Sequence, residues 1–394
     1  VVDDEERKTA SKATWTGGEL PTAALALEDG TIFTGVGFGA QGARVGELCF
    51  LTAMAGYQES LSDPSFSQQI VVFTSPHVGN VGTNDEDMES LRPLALGCVL
   101  RTLPTEPSNY RSRQSLDGWM RDHGLIGIAE LDTRALTRRI RDLGAPKAAL
   151  WHGPAGELDA TRLVAAAQQW SGLLGLDLAA AATCSHPRSF GERGLLDGVA
   201  PPSPARPRVV VVDFGCKLNI LRSLTAAGMD VVVVPCHTRF EDLLALEPRG
   251  VLLSNGPGDP AATARQCMPL LEGLLASSLP LFGICLGHQL VGLALGGRTE
   301  KMRLGHRGAN HPVVELSTGR VQITSQNHGF AIVDGSLPAH VEITHRSLFD
   351  QSVEGLRLLE RPVFSVQFHP ESSPGPHDAA GLFSQFRAMV ENNA

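Results

Sequence analysis

Phe282-Gly283-Ile284-Cys285-Leu286-Gly287-His288-Gln289 carries an apolar strand directly into a cysteine and then into a helix, with glycine two residues before and two residues after that cysteine. This is the spacing of a nucleophile elbow. A strand-to-helix reversal in so few residues crowds the backbone, and only residues without Cβ leave room on both sides of an exposed nucleophile. Cys285 also stands at a helix N-terminus, where free N–H groups and the macrodipole favour a thiolate and can stabilise an oxyanion. A free cysteine is ordinarily a small buried hydrophobe. That reading holds for Cys49, Cys98, Cys184, Cys216, Cys236 and Cys267, which lack this context.

Working outward, the elbow belongs to an alternation of strands and helices that begins after Pro207. Val209 to Asp213, Val231 to Val234, Val251 to Ser254, Leu281 to Ile284 and Val363 to Val366 are short apolar runs suited to strands buried on both faces. Asn219 to Ala227, Phe240 to Leu246, Ala262 to Ala276 and Leu286 to Leu295 have helical periodicity. The alternation predicts an α/β domain with a parallel sheet over residues 208–394. Lys301 to His345 is turn-rich and reads as an antiparallel insertion before the last sheet strand.

Residues 21–155 read as a mixed α+β domain. Ala23 to Leu27 and Thr31 to Gly35 flank a Glu28-Asp29-Gly30 turn and predict a β-hairpin. Ile70 to Phe73 and Gly97 to Arg101 read as further strands. Asp132 to Leu143 reads as a helix with Asp132 as N-cap, Gly144 past its end, and Ala135, Leu136, Ile140 and Leu143 on one face. Residues 156–207 combine an Ala-rich helical stretch, Leu163 to Ala182, with a linker marked by Pro201, Pro202, Pro204 and Pro207. Residues 1–20 form a polar tail expected to be flexible.

A thiolate nucleophile needs a base that later serves as acid for the leaving amine, and that base needs a third group to fix its tautomer. His369-Pro370-Glu371 supplies both. It follows the strand Val363 to Val366 and should emerge at the same carboxyl edge of the sheet as Cys285, where sites form in open α/β sheets. Ser254-Asn255-Gly256-Pro257-Gly258-Asp259-Pro260 builds a rigid loop whose backbone can approach a ligand. The N–H groups of Gly256 and Leu286 are the expected oxyanion donors, each typically worth about 3 kcal/mol of transition-state stabilisation. Taken alone, that loop reads equally well as an ordinary strand-to-helix turn.

The 394 residues suffice for two cores. Hydrophobic residues at 42% and charged residues at 19% are those of a folded protein. The net charge of −9 excludes a phosphate-tracking surface, so no nucleic-acid partner is expected. No apolar run approaches the roughly 20 residues that span a bilayer, so no membrane is expected either. The acidic N-terminus, with Asp3, Asp4, Glu5 and Glu6, resembles neither a signal nor a transit peptide, which gives a cytoplasmic expectation. Seven cysteines without a C-x-x-C pair argue against disulfides and structural zinc, and no metal site is expected.

The elbow, His369 to Glu371 and Ser254 to Pro260 together resemble the class I, triad-type glutamine amidotransferases in spacing and chain order. Further matches are to the small subunits of carbamoyl-phosphate synthetases. They are Asp213-Phe214-Gly215-Cys216-Lys217-Leu218-Asn219, Gly308-Ala309-Asn310-His311-Pro312, Gln326-Asn327-His328-Gly329-Phe330 and Ser373-Pro374-Gly375-Pro376-His377-Asp378. In the N-terminal half, Ala55-Gly56-Tyr57-Gln58-Glu59, Asp63-Pro64-Ser65, Pro76-His77-Val78-Gly79-Asn80 and Asp132-Thr133-Arg134 match too. The resemblance implies a flavodoxin-like C-terminal domain, attack of Cys285 on the side-chain amide of L-glutamine, a γ-glutamyl thioester, and release of ammonia. It implies glutamine contacts from Gly256, Gly258, Leu286, Gln289, Asn327, Gly329 and Phe330. It implies no cofactor on this chain, and a large partner subunit that uses ATP, Mg and bicarbonate. The family usually has a serine or a glycine at this position, and the resemblance implies that the serine helps to hold glutamine; this chain has Ala53, which donates no hydroxyl hydrogen bond, and the expected loss is about 1 kcal/mol or somewhat more.

Three other readings compete. One is an amidotransferase subunit for another synthetase. The second is a glutamine-binding regulatory subunit with impaired hydrolysis, motivated by Ala53, and the third is a cysteine peptidase or hydrolase on the same fold. Asn310 and His311 read as structural, His328 equally as ligand contact or structural support, and Lys217 as a surface lysine ahead of a partner for a site carboxylate.

Overall fold

The computed structural model describes residues 20–191 and 194–393. The polar tail expected over residues 1–20 therefore lies outside the described residues except for Leu20. The chain divides into two compact units. The first takes Val1–Met54, Gln68–Asp85 and Ala95–Gly172, and the second takes Ala55–Ser67, Glu86–Leu94 and Leu173–Ala394.

The first unit is built on β1 (Ala23–Leu27), β2 (Ile32–Gly39), β3 (Gly42–Leu51), β4 (Gln69–Phe73), β5 (Gly97–Val99), β6 (Ile126–Ala129) and β7 (Lys147–His152). Between β3 and β4 the chain contributes α1 (Tyr57–Ser62) to the second unit. The seven strands close into a barrel in the order β1-β2-β6-β5-β4-β3-β7. The expected hairpin forms between β1 and β2, with Gly30 at φ 87° in its turn. Closure was not foreseen, because it depends on β7 pairing with both β1 and β3 across most of the unit. The unit's helices are α2 (Leu116–Asp122), α3 (Thr133–Leu143) and α4 (Ala160–Gln169). Asp132 caps α3 by accepting from the Ala135 N–H at 3.0 Å. Its buried face is narrower than expected, however: Leu136 and Ile140 are buried, whereas Leu143 is 67% exposed. Leu163 and Ala167 of α4 pack on Ala24, Ala26 and Ala149 of the barrel wall.

The Ala-rich stretch is not one helix. Trp170 leaves α4 in an extended conformation, Gly172 and Gly175 take positive φ, and only α5 (Ala179–Ala182) resumes the helix. Part of the expected linker is instead a short hairpin, β8 (Arg188–Gly191) and β9 (Gly194–Leu195).

The second unit holds β10 (Arg208–Asp213), α6 (Leu218–Ala226), β11 (Asp230–Pro235), α7 (Phe240–Leu244), β12 (Gly250–Leu253), α8 (Pro260–Ala276), β13 (Leu281–Ile284) and α9 (Leu286–Ala294). It continues with β14 (Thr299–Glu315), β15 (Val321–Ile332), β16 (Val341–Ser347), β17 (Val353–Leu358), β18 (Val363–Val366) and α10 (Gly381–Asn392). Its sheet runs β15-β14-β16-β17-β18-β13-β12-β10-β11-β8-β9. The five strands from β18 to β11 are parallel, in the doubly wound order of a flavodoxin-like fold. The predicted antiparallel insertion appears as β14 to β16, extended by β17.

Alternation along β10 explains its unbroken apolar run. Val209 and Val211 face a cluster with Leu221 and Leu224 of α6 and Phe383 and Phe386 of α10. Val210 and Val212 face Leu270 and Leu274 of α8 and Leu290 of α9. Each such side chain contributes about 1.5–3 kcal/mol by leaving water. Phe282 stacks on its cross-strand neighbour Phe364 with centroids 4.3 Å apart, which fixes β13 against β18 beside the elbow. Among the described residues no helix is long and apolar enough to cross a membrane.

Candidate active site

β13 ends at Ile284 and α9 begins at Leu286, so Cys285 makes the whole turn. It does so at φ 53°, ψ −102°, a region rarely occupied by residues with a side chain and costing about 1–3 kcal/mol. The cost is held by surrounding bonds: the Cys285 N–H donates to Val366 O at 2.9 Å and the Gly287 N–H to Ser254 O at 3.0 Å. Both flanking glycines are obligatory. A Cβ on Gly287 would lie 2.2 Å from Leu253 O, and one on Gly283 would lie 2.8 Å from Gly287 O. The thiol is less open than the sequence suggested, since Cys285 is 2% exposed and its Sγ lies 3.7 Å from the Asn327 carbonyl of β15.

His369 and Glu371 follow β18 at the same edge of the sheet. The ring Nδ1 of His369 is 2.6 Å from Glu371 Oε1, so the N–H on Nδ1 donates to the carboxylate. Nε2 has no aligned hydrogen-bond partner. Burial alone would depress the imidazole pKa, but the Glu371 carboxylate and the Cys285 sulfur outweigh it and raise the pKa. Burial would likewise raise the Glu371 pKa, yet Lys217 and then His369 hold it below the usual carboxylate range. The thiols of Cys98, Cys216, Cys236 and Cys267 are pushed up by burial, as expected of inert core cysteines.

Lys217 corrects the sequence reading. It is no surface lysine: at 2% exposure its Nζ lies 3.0 Å from Glu371 Oε1 and also donates to Ser372 O. Asn219 Nδ2 donates to the Glu371 carbonyl, and Glu89, fully buried, accepts from the Asn219 N–H at 3.0 Å and from Ser373 Oγ at 2.6 Å. The signal for Lys217 and Asn219 was their place in the Asp213 to Asn219 motif, read there as resemblance without a role.

The loop after β12 is packed for glycine. A Cβ on Gly256 would sit 2.2 Å from Phe214 O, and Gly258, at φ 100°, would meet Leu176 O at 2.8 Å. Asn255 is wholly structural here, accepting from the Lys217 N–H at 2.9 Å and donating to Ser65 Oγ at 2.9 Å. Asn327 donates from Nδ2 to Asp63 Oδ2 at 2.8 Å. Gln289 donates from Nε2 to Phe330 O at 2.7 Å and to Gln367 Oε1 at 2.9 Å, so its remaining capacity lies on the amide oxygen. His288 bonds Ser365 Oγ at 2.9 Å, and burial depresses its pKa to about 3, which keeps it neutral. Thus Cys285, Leu286, Gly256, Gly258, Gln289, Asn327, Gly329, Phe330, His369 and Glu371 all belong to the second unit. Ala53 belongs to the first unit, just after β3, with its side chain buried.

This geometry offers a strained thiol, a polarised imidazole and a carboxylate held by a buried cation. Comparison with known proteins places it. Residues 210–389 match the family described as glutamine amidotransferase class-I, and residues 25–150 match the carbamoyl-phosphate synthase small chain, CPSase domain. The chain is 53% identical over 374 residues to a carbamoyl phosphate synthase small chain of Ruegeria pomeroyi, covering 94% of this chain and 96% of that one. It is 51% identical over 389 residues to the protein of that name from Agrobacterium fabrum, covering 97% of each. It is 50% identical over 369 residues to that of Zymomonas mobilis, covering 93% of this chain and 99% of the other.

Proposed function

The chain belongs to the carbamoyl-phosphate synthase small-chain family, and on that premise we propose that Cys285, His369 and Glu371 carry out its glutamine hydrolysis. The protein is the glutamine amidotransferase component of carbamoyl-phosphate synthase. What supports the residue assignment above all is the relay at one sheet edge: a cysteine in a strained elbow, and an imidazole whose far nitrogen is fixed on Glu371 at 2.6 Å.

In this reading the Cys285 thiolate attacks the side-chain amide carbon of glutamine. The new oxyanion takes hydrogen bonds from the N–H groups of Gly256 and Leu286. His369 Nε2 then delivers its proton to the departing nitrogen, the C–N bond breaks, and ammonia leaves a γ-glutamyl thioester. Water attacks the thioester with His369 as base, the C–S bond breaks, and glutamate is released. Glu371 holds the imidazole in the required tautomer throughout, and Lys217 keeps Glu371 ionised. Gly258, Gln289, Asn327, Gly329 and Phe330 contact the substrate.

Ammonia released into neutral water is protonated and ceases to be a nucleophile. The product therefore passes to a large subunit, the expected seat of ATP, Mg and bicarbonate chemistry. The test is reconstitution with a large subunit, comparing the parent chain with Cys285→Ser. Carbamoyl phosphate formed from glutamine should disappear, while that formed from added ammonium should persist. Equal glutamine-dependent rates in variant and parent would refute the assignment of the nucleophile.

A further inference from the structure

His306 on β14, His328 on β15 and Glu354 on β17 come from three separate strands, which is why no ligand spacing in the sequence announced them. All three are buried, at 7%, 5% and 0% exposure. One donor atom from each lies within 4.8 Å of the others.

The two rings are oriented from their far sides. His306 Nε2 is 2.9 Å from Asp350 Oδ2. His328 Nδ1 is 2.8 Å from Phe330 O, and since a carbonyl only accepts, the proton is on Nδ1 and the lone pair on Nε2. The nitrogens left over, His306 Nδ1 and His328 Nε2, both lack an aligned hydrogen-bond partner although buried. His306 Nδ1 faces Glu354 Oε1 at 3.3 Å, while Glu354 Oε2 accepts from Gln326 Nε2 at 2.8 Å. Carboxylate or carbonyl acceptors on the far ring nitrogen are how metal-ligating histidines are held.

We propose that His306, His328 and Glu354 form a binding site for a divalent cation of the zinc class, separate from the Cys285 thiol. Two neutral imidazoles and one carboxylate suit zinc, whereas magnesium and calcium favour all-oxygen sets. Bonds of about 2.1 Å put tetrahedral donors about 3.4 Å apart, so binding draws the three side chains inward and leaves a fourth position for water. An ordinary ion pair accounts for less: an imidazolium at His306 would satisfy Asp350 and Glu354 but leave His328 Nε2 orphaned. The cation would also brace β15 next to the thiol. Asn327, whose carbonyl meets Cys285 Sγ, precedes His328, and Phe330 O is shared between His328 and Gln289.

The test uses the full chain carrying Cys285→Ser, so that this thiol cannot ligate, stripped with a chelator and titrated with Co2+ as a spectroscopic substitute for zinc. One equivalent should bind with the visible bands of four-coordinate nitrogen and oxygen ligation, without a thiolate charge-transfer band, and Zn2+ should displace it and raise the unfolding temperature. Glu354→Gln and His306→Asn should each weaken Zn2+ binding by about ten-fold or more, and the exposed His340→Asn should leave it unchanged. Should either site variant fail to fold, the cobalt spectrum and stoichiometry of the Cys285→Ser chain decide alone. Absence of stoichiometric binding, a thiolate band, or unchanged affinity in folded Glu354→Gln would overturn the proposal.

Discussion

Lys217 Nζ lies 3.0 Å from Glu371 Oε1, the same oxygen that receives the His369 Nδ1 proton at 2.6 Å. One carboxylate oxygen therefore serves a buried cation and the proposed catalytic base together. Replacing Lys217 by Met should leave an uncompensated buried carboxylate, at about 3–5 kcal/mol for breaking such a pair. Chemical denaturation should show that loss, and glutamine hydrolysis should fall while ammonia-dependent synthesis in the reconstituted complex holds. Wild-type stability in Lys217→Met would show that the pair contributes nothing.

The pair also dictates a pH dependence. Glu371 has its pKa lowered on folding, so its contribution is present above its ordinary value of 4.5 and is lost as pH falls through the folded value. His369 has its pKa raised, so its contribution is complete below the ordinary 6.5 and is lost as pH rises through the folded value. Both contributions are complete only between about pH 4.5 and 6.5. Denaturation across a pH series should therefore show the parent losing more stability than His369→Asn as pH rises above 6.5. Parallel curves for the two proteins on the alkaline side would contradict the raised imidazole.

How much of this was legible depended on distance along the chain. The runs of β10 to β13 were readable because strands buried on both faces carry unbroken valine and leucine, and the elbow because its chemistry is local. The barrel was not, since β3, β6 and β7 carry no strand signal that the sequence reading picked up, and closure rests on the partners of β7 rather than on any local pattern. Lys217 was misread because charge predicts exposure, and the carboxylate that permits its burial comes from Glu371 at the far end of the unit. The grouping of His306, His328 and Glu354 was illegible for the same reason, each being supplied by a different strand, although His328 by itself was read as a ligand contact or a structural support. Helix α10 was missed although Phe383, Phe386 and Val390 share a buried face.

The elbow makes a sharp steric prediction. Gly287→Ala would force a Cβ to within 2.2 Å of the Leu253 carbonyl, backbone against backbone, with no flexible side chain to yield. Such overpacking costs about 1–3 kcal/mol or more. Gly381→Ala, at the start of α10, meets nothing within 4 Å and should stay within about 0.5 kcal/mol of the parent. Thermal unfolding of both variants checks the contrast, and equal midpoints would mean that the elbow relaxes without strain.

Asp63 offers the most direct test of the substrate side. Its Oδ2 accepts from Asn327 Nδ2 at 2.8 Å, and its Oδ1 accepts from the Ser65 N–H at 2.9 Å, while Ser65 Oγ accepts from Asn255. One buried carboxylate thus aligns β15, which carries the proposed glutamine contacts, with the loop after β12. Asp63→Ala should release the Asn327 side chain and strand a buried amide. A hydrogen bond to a charged group contributes about 1.5–3 kcal/mol, so KM for glutamine should rise by about ten- to a hundred-fold. Steady-state hydrolysis separates the two roles open to Asp63. A raised KM with kcat within a few-fold of the parent fits alignment of the substrate contacts. A fall in kcat at unchanged KM would instead place Asp63 in support of the thiol and remove Asn327 from the glutamine site.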